Sequence, residues 1–155
     1  MKVQDIRRLV SQGLLARGLA SAGFKKSKEG LVRNIPEGRQ GLSIAVYDYN
    51  PDFDFEITAC TRLEAIETAF EDALDTPKPY RSLSSTIQTP LAFFAGSGPL
   101  RLRITSEPEI DDALDAVLPL MQAKALPFLD DNRDVAALHR LVNVERVDGA
   151  DNQFD

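Results

Sequence analysis

Between Leu42 and Cys60 apolar and polar residues alternate with a period of two, and the alternation changes phase across Asn50-Pro51-Asp52. Successive side chains of a strand point to opposite faces, so Leu42, Ile44 and Val46 share one face of a first strand. Phe53, Phe55, Ile57 and Ala59 share one face of a second. Proline fixes φ, and Asn and Asp bond their own backbone, so the intervening triplet predicts a turn and the segment predicts a hairpin. A slip of one residue would move the aromatic row into water and carboxylates into the core, which specifies the register.

The remaining pattern surrounds this hairpin with further elements. Ile6, Leu9, Val10, Leu14 and Leu19 recur at helical spacing over Asp5 to Ala22, with Gly23 placed as a C-terminal cap. Gly13 and Gly18 weaken that helix and suit a close backbone approach. Phe24–Lys28 and Leu31–Ile35 predict a short hairpin about Glu29-Gly30, and Leu100–Thr105 alternates as another strand.

Thr61-Arg-Leu-Glu64 and Ser106-Glu-Pro-Glu109 both have the spacing of capping boxes. The first opens a helix whose inward stripe is expected to be Leu63, Ile66, Phe70 and Leu74. The second opens a longer helix with Ile110, Leu114, Val117, Leu118 and Met121 inside, kinked at Pro119. After Leu126-Pro-Phe-Leu129 the stretch from Asp131 to Asp134 starts a last helix, with Val135, Leu138, Leu141 and Val142 facing inward.

Residues 76–99 are rich in Pro, Ser, Thr and Gly, and only Leu91–Ala95 reads as structured. A stretch of that kind is often a functional loop. This order predicts an α+β fold, an antiparallel sheet of four to five strands with helices packed on one face. Residues 1–147 form a single domain in this reading, and 148–155 a flexible acidic tail.

Charge refines the picture. The net charge is −6 over 155 residues, but nine Lys and Arg face three acids up to Gln40, and nine face twenty-one thereafter. The acidic remainder would repel a polyanion, which disfavours nucleic acid and suits a protein partner with a basic surface. No apolar run reaches the ~18 residues of a membrane span, and the first ten residues lack a signal peptide's apolar middle. A single cysteine, Cys60, agrees with a reducing compartment, so a cytoplasmic location is expected.

Candidate chemistry is sparse. Gly13 and Gly18 have phosphate-loop spacing, but Leu19-Ala20 replaces the lysine and hydroxyl residue. Asp48, Asn50 and Asp52 open like a calcium loop, yet Phe53 and Ala59 stand where glycine and the bidentate glutamate belong. Cys60 and His139 are too few for zinc, and as a nucleophile pair they lack a third group. Ser82, Ser84 and Ser85 lack a hydrolase elbow. No cofactor, metal site or catalytic residue is expected.

The candidate binding residues are therefore surface ones. Asp52, Asp54 and Glu56 stand ~6.6 Å apart on one strand face, and Arg101 and Arg103 are their candidate cross-strand partners. Tyr47, Tyr49, Tyr80, Phe93 and Phe94 can line a pocket or an interface if residues 76–99 fold over the sheet. The alternative to protein binding is a small-molecule site, or an enzyme, with its pocket under those residues.

One resemblance adds to these expectations. A helix ending in Leu19-Ala-Ser-Ala-Gly-Phe24-Lys25-Lys26, then a short hairpin carrying Arg33, and a later helix running into Leu126-Pro-Phe-Leu129 resemble small bacterial domains of unknown function encoded near polymorphic toxins. The likeness covers the two ends of the chain and carries over no catalytic residue. It implies an α+β domain that acts by binding, as an immunity-like partner.

Overall fold

The computed structural model describes residues 1–81, 83–96 and 100–143. At its centre lie the two predicted strands, β3 (Gly38–Asp48) and β4 (Phe53–Leu63), each eleven residues long and antiparallel. Leu42 stands opposite Ala59, Ile44 opposite Ile57 and Val46 opposite Phe55, so the two apolar rows meet on one face. At the tip, the Tyr49 amide donates to the Asp52 carbonyl at 2.9 Å and the Asn50 amide to the Asp48 carboxylate at 3.0 Å.

Among the described residues the sheet has six strands, all paired antiparallel. β1 (Lys25–Lys26) and β2 (Gly30–Ile35) extend it beyond β3. Beyond β4, two short strands share one edge: β5 (Ile87–Pro90) beside Thr58–Thr61, and β6 (Leu102–Ile104) beside Phe53–Phe55. β5 lies within the stretch that reads as loop. Four residues closed by Pro90 are too few to show an alternation, and the pairing comes from the exposed edge of β4.

One face of the sheet carries the core. α1 (Val3–Leu14) buries Ile6, Val10 and Leu14, and α4 (Pro108–Leu120) buries Ile110, Leu114 and Val117, all in one cluster with Leu42, Ile44, Phe53 and Phe55. Gly13 lets α1 and α4 approach closely, since a Cβ there would run into the Leu114 side chain. α1 is shorter than the helical spacing predicts: a π turn over Leu15–Leu19 follows, with Gly18 at φ 105°. Gly23 is the expected stop, and the Phe24 amide returns to the Leu19 carbonyl at 3.1 Å.

After Pro119, which has no amide hydrogen to give, α4 widens into a π turn over Met121–Ala125 and resumes as α5 (Leu126–Asp131). The C-terminal end of α5 is tied to the sheet by Gln40, which is almost wholly buried. Its amide nitrogen donates toward the Leu129 carbonyl, the Asn132 carbonyl at 3.2 Å and Thr61 Oγ1 at 3.2 Å, and its oxygen accepts from Arg33 at 2.8 and 3.0 Å.

Four expectations from the sequence need correction. Thr61 does not cap a helix: it is a buried strand residue bonded to Gln40, and α2 (Glu64–Ala73) begins after Leu63 without a side-chain cap. On α2 the buried residues are Glu67 and Glu71, whereas Phe70 and Leu74 face solvent at 59% and 62% exposure. On α6 (Val135–Val142) only Ala137 is buried and Leu138 half-buried, with Val135, Leu141 and Val142 exposed. The second capping box does not form as expected, since Glu109 reaches the amide of Thr105 and not that of Ser106. Its carboxylate accepts from the Thr105 amide at 2.8 Å and from the Thr105 and Ser106 hydroxyls, and no side chain caps the free amides of α4.

The α6 start is as expected, with the Asp134 carboxylate accepting from the Ala137 amide at 2.7 Å. The segment expected to be structured, Leu91–Ala95, is the helix α3, and it buries Leu91. The acidic tail expected at 148–155 and Ser82 lie outside the described residues.

Candidate functional site

The second face of the sheet carries the chemistry-bearing side chains, because alternation sends Tyr47, Asp54, Glu56, Thr58, Cys60 and Arg62 there. Near the hairpin tip these residues form a closed set. Glu56 accepts from the Tyr47 hydroxyl at 3.1 Å and from Arg101 Nε at 2.7 Å. Arg101 also donates to the Tyr49 oxygen at 3.2 Å and lies over the Tyr47 ring, 4.8 Å from its centroid.

Arg103 pairs with Asp52 and stands opposite Asp54 in the ladder. The bond to Glu56 and the carboxylate's charge raise the Tyr47 pKa, and Glu56 likewise raises that of Arg101. Arg101 and Arg103 thus offset the charges of Glu56 and Asp52.

The structure thus brings Tyr47, Tyr49, Asp52, Asp54, Glu56, Arg101 and Arg103 together and leaves the other candidates apart. Tyr80 is exposed on a 3₁₀ turn over Lys78–Tyr80, and Phe93 is exposed on α3. Phe94 packs edge-on against Phe128 of α5 at 5.3 Å, on the helix side of the sheet.

Further along the second face runs a trough of about 550 Å³. Its floor follows two cross-strand rows, Val32–Gly41–Cys60–Gln88 and Ser43–Thr58. Gly41, lacking a side chain between Val32 and Cys60, leaves the first row open. Leu83 and Ser85 wall one end beside Arg39 and Arg62, and Ser27, Lys28 and Glu29 wall the other. Part of segment 76–99 therefore does border a cavity, through Leu83, Ser85 and Gln88 and not through its aromatic residues.

Cys60 lies on this floor and donates to the Thr58 carbonyl at 3.6 Å. Burial pushes its thiol pKa up, which suppresses the thiolate. His139 stands exposed on α6.

At the closed end of the trough is a buried charge cluster that the sequence pattern did not reveal. Arg62 is 2% exposed and meets Glu64 at 3.0 Å, Glu67 at 3.6 Å and Glu71 at 3.1 Å. Ser84 accepts from Arg62 at 2.9 Å and donates to Glu67, and Thr86 donates to Glu67 at 2.8 Å while accepting the Leu63 amide. Burial alone would lower the Arg62 pKa, but the bonds to Glu64 and Glu71 outweigh it and raise the value.

A sequence signal did exist. Arg62 continues the polar face of β4, and Glu64, Glu67 and Glu71 recur at i+3 and i+4 directly after it. The larger apolar residues at Phe70 and Leu74 masked it.

Among the described residues, no three His, Cys, Asp or Glu side chains are grouped to hold a metal ion. Among them too, no helix is long and apolar enough to cross a membrane. Comparison of the chain with protein-family models, curated proteins and solved structures finds no match to any of them.

Proposed function

We propose that this chain is a non-enzymatic protein-binding domain, immunity-like in the sense its two ends suggest, whose partner docks on the second face of the sheet. The observation that carries this reading is the one-sided construction of the sheet. α1, α4 and α5 cover one face, while the other, with α2 over Arg62 at one end, is hollowed between segment 83–88 and the β1–β2 turn. A partner segment can enter that trough against Val32, Leu83 and the hydroxyl groups of Ser43 and Thr58.

The excess of acids in the chain favours a partner with a basic surface, by steering and by complementarity. The hairpin contributes less to that attraction than its composition suggests, since Arg101 and Arg103 offset Glu56 and Asp52. Photocrosslinking in the source cell tests the reading, with benzoylphenylalanine placed at Ser43, Thr58 and, on exposed α4, Asp112. A discrete protein adduct from the two trough positions and none from Asp112 is expected. No adduct from the trough, or equal adducts from all three positions, overturns it.

The trough's volume favours a second reading, since about 550 Å³ is within the size of small-ligand sites. Ser43, Thr58, Ser85 and Gln88 would then supply the polar contacts. Native mass spectrometry of the protein from its own cells should in that case show a retained small molecule that Ser43→Trp removes. A bare protein mass sinks this alternative.

A further inference from the structure

α2 is built inside out for a helix on the surface of a domain. Its inward positions, Glu67 and Glu71, are spent on Arg62. Ala69, Phe70, Ala73 and Leu74, all exposed, and the half-buried Ile66 then form a continuous apolar arc, spaced at three and four residues, that the other described residues leave largely uncovered. Phe70 and Leu74 keep more than half their surface in water, 59% and 62%. Exposed large side chains in a row at helical spacing have the form of a helix-docking face.

Charge says what fits it. From Glu64 to Asp75 the chain has five carboxylates and no cation. Arg62 pairs with Glu64 and Arg81 with Asp72, which offsets part of this charge, but Glu64 and Asp72 keep half or more of their side chains exposed and Asp75 is exposed too. A second copy of this chain laid on the arc would bring two acidic helices together, and like charges at such a seam are unfavourable. An amphipathic helix with lysines or arginines beside its apolar stripe satisfies both features.

We infer that the outward face of α2 is a docking surface for a basic amphipathic helix of a partner protein, with Phe70 and Leu74 as its anchors. The inference rests on the protein-binding reading and adds to it a surface beside the trough, held in place by the Arg62 cluster. The inverted burial is what makes the surface available. Carboxylates inward neutralise Arg62, and the apolar residues are left for a partner.

The test uses the full chain and a fluorescein-labelled synthetic peptide of leucine and lysine, about 18 residues long, with leucines at i, i+3, i+4 and i+7. A scrambled peptide of identical composition is the control, and anisotropy is read at about 0.15 M salt, where loose surface attraction is screened. The patterned peptide should bind about tenfold tighter than the scrambled one, and Phe70→Ser or Leu74→Ser should abolish the difference. Both positions are exposed, and circular dichroism checks that the variants stay folded.

Equal binding of the two peptides, or binding indifferent to Phe70→Ser, overturns the inference. Dimerisation in sedimentation that Phe70→Ser abolishes would assign the face to a second copy and overturn it as well. Trough crosslinks that persist while the α2 variants change nothing would leave the binding reading standing without this surface. Loss of both would remove the two together.

Discussion

Arg62 Nη1 lies 3.1 Å from the Glu71 carboxylate, and both side chains are almost entirely buried, at 2% and 7% exposure. Removing one member of a buried ion pair strands the other without solvent, a loss of about 3–5 kcal/mol. Arg62→Met should therefore lower the unfolding free energy by that much in a urea titration. Combining it with Glu67→Leu and Glu71→Leu should recover most of the loss, because charges replaced by packed apolar groups remove the desolvation cost. A single variant as stable as the parent would show the cluster to be open to water.

Gln40 joins the sheet to the end of α5 through carbonyls that have finished their helical bonding. Gln40→Leu is close in size but leaves the Leu129 and Asn132 carbonyls without that donor and Arg33 without that acceptor. Each buried group left unpaired costs about 1–3 kcal/mol. Amide exchange should quicken first in α5 and α6, ahead of the β3–β4 ladder. Uniform quickening across the chain would contradict a local role.

Gly13 and Leu114 form a contact in which one side has no room to grow. Gly13→Ala gains about 1 kcal/mol in helix propensity, but overpacking against Leu114 costs about 1–3 kcal/mol, so a net loss of stability is expected. Leu114→Val should be less harmful in the Gly13→Ala background than alone. Additive effects in that double-mutant cycle would show that α1 and α4 adjust freely.

Glu109 is held ionised by the Thr105 and Ser106 hydroxyls and by the Thr105 amide, which lower its pKa to about 2. An unfolded glutamate titrates near ~4.3, so the group's contribution is fully present above that pH. It is lost as the pH falls from about 4.3 toward 2. Urea melts over this range should show a fall in stability that Glu109→Gln flattens. A carboxyl resonance titrating at the ordinary glutamate value would refute the assignment.

Period-two alternation between Leu42 and Cys60 determined the central hairpin, its register and which of its side chains share the polar face. The spacing of Ile6, Val10 and Leu14, and of Ile110, Leu114 and Val117, determined the two helices that cover the other face. Those are local signals, in which each residue's neighbours along the chain already carry the pattern.

Tertiary structure alone decided the orientation of α2, the strand Ile87–Pro90, the exposure of Val135, Leu141 and Val142, and the trough. The hydrophobicity of Phe70 and Leu74 argues for burying them. An arginine at position 62 with nowhere to go but inward needs carboxylates more than the core needs two further apolar side chains, because an unpaired buried charge costs more than an exposed Phe or Leu. That comparison involves residues from β4, α2 and segment 84–86 at once, so no stretch of sequence read by itself could have settled it.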